Sequence, residues 1–117
     1  MVEHSSAADK RFAKLVSDLA ADEATAAIAR EYAARRARGG DKFGDHGLKV
    51  GGKIFAMVSR ERFVVKLPRA RVDALVAAGQ GEPFTSGGRV MKEWLVVTAP
   101  RLSWLKLARE ALAFVGQ

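Results

Sequence analysis

The stretch GLKVGGKI, Gly47 to Ile54, decides how this chain folds. Gly47, Gly52 and Lys53 stand at the offsets of a phosphate-binding loop, G-x-x-x-x-G-K-[ST], but Ile54 occupies the place of the Ser or Thr that would hold magnesium. Such a loop also needs a helix after it, because the loop amides and the helix N-terminus hold the phosphates together. After Lys53 comes a short β-prone run instead, Ile54 to Val58, that stops at Ser59-Arg60-Glu61-Arg62. Leu48-Lys49-Val50 before it also reads as extended. Two extended segments joined by Gly51-Gly52 predict a β-hairpin with a two-residue turn, whose positive φ angles glycine adopts at little cost. The glycines therefore turn a hairpin, Lys53 is a strand residue, and no cofactor is expected.

Downstream, the chain turns again at Ser59–Arg62 and enters a strand, Phe63 to Leu67. Alternation puts Phe63, Val65 and Leu67 on one face and Arg62, Val64 and Lys66 on the other. With a two-residue turn at Gly51-Gly52, Lys49, Lys53 and Lys66 are expected together on the exposed face. Pro68 ends the strand, since it has no N–H to give to a ladder. A short helix comes next over 69–78, with Val72, Leu75 and Val76 facing inward. GQGEPFTSGGRV, residues 79–90, holds four glycines and a proline and reads as a long loop. Met91 to Thr98 is a strand, and Pro100 opens a last helix. That helix is striped by Leu102, Leu105, Ala108 and Leu112, and widened by Trp104, Leu107 and Ala111.

Upstream, Ser6 begins a helix with Phe12, Leu15, Val16 and Leu19 on one face. Asp22 is placed to cap a second, Ala-rich helix reaching about residue 38, ended by Gly39-Gly40. Arg35, Arg36 and Arg38 lie in its last turn, where cations complement the helix dipole. Helices, then hairpin-linked strands, then a helix give an α+β order. The expected fold is an antiparallel β-meander of about five strands, with N-terminal helices, a short middle helix and a C-terminal helix. It is read as one domain over 1–117, a helical part at 6–38 and a sheet with its last helix at 42–117.

Composition narrows the function. The 117 residues suit one domain, and 49% hydrophobic with 28% charged residues is ordinary for a globular protein. No run approaches the ~20 apolar residues that span a bilayer, so no membrane association is expected. MVEHSSAADK has neither the apolar core nor the cleavage site of a secretory signal, which makes the cytoplasm the expected location. With no cysteine there is no disulfide, thiolate metal site or cysteine nucleophile. Residues 1–41 hold seven Lys/Arg and seven Asp/Glu, so the whole net charge of +7 lies in 42–117. A field of that sign attracts polyanions, and it also keeps a protein soluble without any partner.

KFGDHGLKVGGKIFAMV, FVVKLP and GEPFTSGGRVMKEWLVV, followed by a terminal helix with a Trp near its start, resemble the TfoX N-terminal domain family, grouped with the YjbR-like small α+β domains. Phe43-Gly44, Gly52 to Met57 and Gly88 to Trp94 carry the likeness. It covers 42–117 well and 6–21 loosely, and the Ala/Arg-rich helix stands where family members have a short connection. The resemblance implies a non-enzymatic, regulatory domain that binds nucleic acid or a protein.

The chemistry agrees in direction. Asp45-His46 is the one pair with the makings of a general base or of two metal ligands, and a metal needs more ligands than that. A small enzyme or metal domain using His46 is therefore the lesser alternative, with a turn at the strand start as the plainer role. No nucleophile elbow, G-x-S-x-G, occurs. Cations crowd the hairpins instead. Lys53, Arg60, Arg62, Lys66 and Arg89 are the residues expected to meet DNA or another polyanion, with the Arg60–Arg62 turn as a wing tip. Phe55, Phe63, Trp94 and Trp104 read as core rather than as stacking platforms. A protein partner at a groove beside residues 79–90, Met91 and Trp94, or a homodimer through a sheet edge, is the other binding class.

Overall fold

A computed structural model describes residues 7–38 and 47–116. Helix α1, Ala7–Ala21, and α2, Ala26–Ala37, precede three strands: β1 Leu48–Val50, β2 Lys53–Ser59 and β3 Arg62–Lys66. Helix α3, Arg69–Ala77, leads to β4 Gly81–Ser86, β5 Arg89–Val97 and helix α4, Trp104–Val115. The strands form one antiparallel sheet in the order β1-β2-β3-β5-β4. This is the α+β fold expected, with the last hairpin entering in reverse. β5 lies beside β3, and β4 takes the edge.

The helices cover one face of the sheet. α1 and α4 lie over β2 and β3, α3 over β5 and β4, and α2 against α1 and β1. The main core between the layers joins Phe12, Leu15 and Leu19 of α1 to Phe55, Phe63, Val65 and Leu95 of the sheet, and to Trp104, Leu107, Ala108 and Ala111 of α4. Phe63 stacks on Trp104 at 4.4 Å between ring centroids, and Phe12 meets Tyr32 edge-on at 5.7 Å.

Three boundaries differ from the sequence reading. Residues 79–90 are mostly not a loop: they hold β4, a two-residue turn and the start of β5. Pro83 is tolerated because β4 is an edge strand, where a missing N–H leaves no partner wanting. Gly81 is required there, since a β-carbon would come within 2.5 Å of Leu95 Cδ1 and 2.8 Å of the Val96 carbonyl. The last helix starts not at Pro100 but at Trp104, because the Ser103 hydroxyl caps it by accepting from the Lys106 N–H at 3.1 Å. The second helix starts after Thr25, while Asp22 accepts the Ala24 N–H in the turn before it.

The three hairpin turns have positive φ at both central residues. Gly51 and Gly52 stand at 57° and 79°, Gly87 and Gly88 at 59° and 77°, and Arg60 and Glu61 at 52° and 64°. The first pair settles the opening stretch as a hairpin, with Val50 opposite Lys53.

Candidate nucleic-acid interface

The three arginines that end α2 divide. Arg35 is only 8% exposed and both terminal nitrogens donate to the Gly47 carbonyl at 3.0 Å. It ties α2 to the residue just before β1 and lies buried there. Arg38 follows the helix and is exposed. Beside Arg35, burial pushes the Tyr32 hydroxyl above its ordinary pKa; Arg36 and Arg35 pull against that, and Asp9 adds to it.

The face of the sheet without helices carries its own apolar cluster. Met57, Val64 and Val96 are buried there, with Ile54, Phe84 and Trp94 packed half-buried around them. Among the described residues, only strand residues contribute. Period-two alternation produces it: Val64 and Lys66 alternate with Phe63 and Val65, and Trp94 and Val96 alternate with Leu95 and Val97. Val64 is 1% exposed although no helix among the described residues covers it, because its strand neighbours close over it. Lys66 Nζ sits 5.7 Å from the Trp94 ring centroid, a cation over an aromatic face, and Phe84 lies 6.4 Å from Trp94. Trp94 is thus not part of the main core, against the sequence reading, whereas Phe55, Phe63 and Trp104 are.

Beside this cluster lies a cleft of about 650 Å³. Arg60 and Arg62 line one side, Thr85 to Gly88 the other, and Val64, Val96 and Phe84 lie between. Arg62 Nη1 bridges to Glu82 Oε1 at 3.1 Å, and both side chains stay more than half exposed. A pair in that setting contributes about 0–1 kcal/mol to stability.

The five cations expected to act together fall into three places. Arg60 and Arg62 line the cleft, and Arg89 follows the Gly87-Gly88 turn and pairs with Ser86 on its wall. Lys66 lies on the same face but four residues along β3 from Arg62, about 13 Å at strand rise. Lys53 is on the helical side. Its pair Val50 packs on the main core, and its neighbour Ile54 faces the other way. The expected grouping of Lys49, Lys53 and Lys66 fails for that reason, and Lys49, paired with Ile54, is the residue on the open face. The two-residue turn by itself puts Lys49 and Lys53 on opposite faces, and a bulge at Phe55, where Leu48 pairs with Ala56 but Lys49 with Ile54, turns Lys53 rather than Lys49 away from Lys66.

The sequence reading missed Glu82 and Phe84, which lay in the supposed loop, and took Trp94 for core or for the edge of a protein-binding groove. The signal for Trp94 was present in the alternation of Trp94-Leu95-Val96-Val97. The Asp45-His46 pair lies outside the described residues. Among the described residues no three His, Asp or Glu side chains are grouped to hold a metal, and no helix is long and apolar enough to cross a membrane. Comparison with family models, with curated proteins and with solved structures finds no match for this chain.

Proposed function

We propose that this domain binds nucleic acid, without catalysing a reaction, through the open face of its sheet and the two turns beside it. One observation carries the reading: Trp94 lies half-buried on the helix-free face under the Lys66 ammonium, with Phe84 alongside. An aromatic face next to a cation suits a base next to a phosphate. It favours a single strand, whose bases are open to stacking, over a duplex. Arg60 supports it. The left-handed conformation costs a non-glycine residue about 1–2 kcal/mol, yet the tip of this turn keeps a charged side chain in the open. A regulatory role of the TfoX N-terminal kind belongs to the same proposal and rests on the sequence resemblance alone; a cytoplasmic setting rests on the N-terminal sequence.

The test is fluorescence anisotropy of a labelled random-sequence oligonucleotide, single-stranded and duplex, at several salt concentrations. Micromolar binding that weakens steeply with salt and favours the single strand is expected. Trp94→Ala is expected to lower affinity roughly tenfold, and Lys66→Ala to make the salt dependence shallower. Absence of binding at low salt overturns the proposal.

A protein partner is the second reading, favoured by a different place. An apolar groove of about 360 Å³ runs between α3 and the β4–β5 hairpin, lined by Val72, Val76, Pro83, Val90 and Met91. Val90 there is 52% exposed.

A further inference from the structure

The cleft on the open face has a chemistry of its own. Register places Val64, Val96 and Glu82 in one row across β3, β5 and β4. Two buried valines thus end at a carboxylate, and Phe84 comes two residues further along β4. Glu82 is largely exposed; Arg62 occupies its Oε1, and Oε2 has no partner among the described residues. The volume of about 650 Å³ admits a nucleotide unit with room to spare. We infer that the cleft takes one guanine nucleotide of a bound strand, with the base against the half-buried Phe84 above the closed Val64–Val96 floor, Glu82 reading its edge, and Arg60 at its phosphate.

The choice of base comes from what a carboxylate can accept. It offers lone pairs only, so it wants adjacent donors and is repelled by acceptors. Guanine presents two neighbouring donors, N1–H and N2–H₂. Adenine and cytosine set an amino group beside a ring-nitrogen acceptor, and thymine flanks its single N–H with two carbonyls. Guanine alone leaves no acceptor facing Glu82. Arg62 bonds only Oε1, so both carboxylate oxygens keep lone pairs for the two guanine donors. Arg60, with no carboxylate in ion-pair range among the described residues, is left for the phosphate.

The inference rests on the nucleic-acid reading, and the experiment separates the two. Anisotropy is measured with a short oligothymidine, with the same strand carrying one guanine, and with the same strand carrying one adenine. Wild type is expected to prefer the guanine strand by roughly tenfold or more over the other two. Glu82→Gln, at an exposed position that should not disturb folding, is expected to erase that preference while still binding oligothymidine. Equal affinity of wild type for the three strands overturns the inference and leaves the proposed function standing. A guanine preference that survives Glu82→Gln also overturns it. Failure to bind any of the three overturns the proposed function and this inference with it.

Discussion

The two faces of the sheet are built from alternate residues of the same strands, and they do different work. Phe63 and Val64 are neighbours in β3, both buried. Phe63 looks into a core closed by helices, stacked on Trp104 and near Phe12. Val64 looks into a thin cluster closed only by strand side chains, with Lys66 and Trp94 at its margin. The helical face buries enough to hold the fold. The open face buries just enough to close its centre and leaves Phe84 and Trp94 half-buried at its margin. Division of labour between the faces is the lesson, and substitutions can break it.

The largest expected effect is on the helical face. Phe63→Ala should lower stability by about 3–5 kcal/mol in urea unfolding, since it empties a fully buried ring site. Trp94→Ala should cost only about 1–2 kcal/mol, because its ring is half in water already. Equal losses for the two would dissolve the division.

The turns sharpen it at smaller scale. The Gly51-Gly52 and Gly87-Gly88 turns adopt positive φ freely, while Arg60-Glu61 adopts the same geometry under strain. Arg60→Gly should therefore raise stability by up to about 1 kcal/mol while weakening oligonucleotide binding. Gly51→Ala should lower stability by about 1 kcal/mol, with no change in binding. Urea unfolding and anisotropy on the same samples decide whether strain and charge go together at Arg60.

The smallest effect concerns pH and belongs to the helical side. The Tyr32 pKa is raised in the folded state, chiefly by burial, so the folded protein holds that proton more tightly than the unfolded chain. The stability this supplies is complete below the ordinary tyrosine value near 10 and is lost as pH rises through the folded value. In unfolding measured between about pH 8 and pH 11, the difference between wild type and Tyr32→Phe should stay flat at first. It should then move in favour of the variant above about pH 10. A difference that stays flat throughout would show that the ring is as solvated in the fold as out of it.

The sequence made some of this legible and hid the rest for identifiable reasons. Helix stripes and the alternation in β3 were plain because burial imposes a period, and Gly51-Gly52 announced its turn. β4 was hidden because a proline and a glycine, both poor strand formers, stand where an edge position and a close approach to Leu95 permit or demand them. Glu82 and Phe84 vanished with it. Lys53 was misplaced because the bulge at Phe55 leaves no trace in a pattern of residue types. Arg35 looked like one of three surface cations, and only the fold shows that it turns inward to clasp Gly47.

The register of β5 has a consequence in time. From Trp94 to Val97 this strand is bonded to β3, whereas Arg89 to Met91 pair with Phe84 to Ser86 alone. The far end of the hairpin is a two-stranded ribbon projecting past the sheet, and a ribbon of two strands has little stability of its own. It can part from the cluster at a fraction of the free energy that unfolds the domain. Local opening of that wall of the cleft should therefore cost less than opening the floor at Val64 and Val96. If the cleft takes the proposed nucleotide, its residence should depend on six residues of backbone as much as on the groups that touch it.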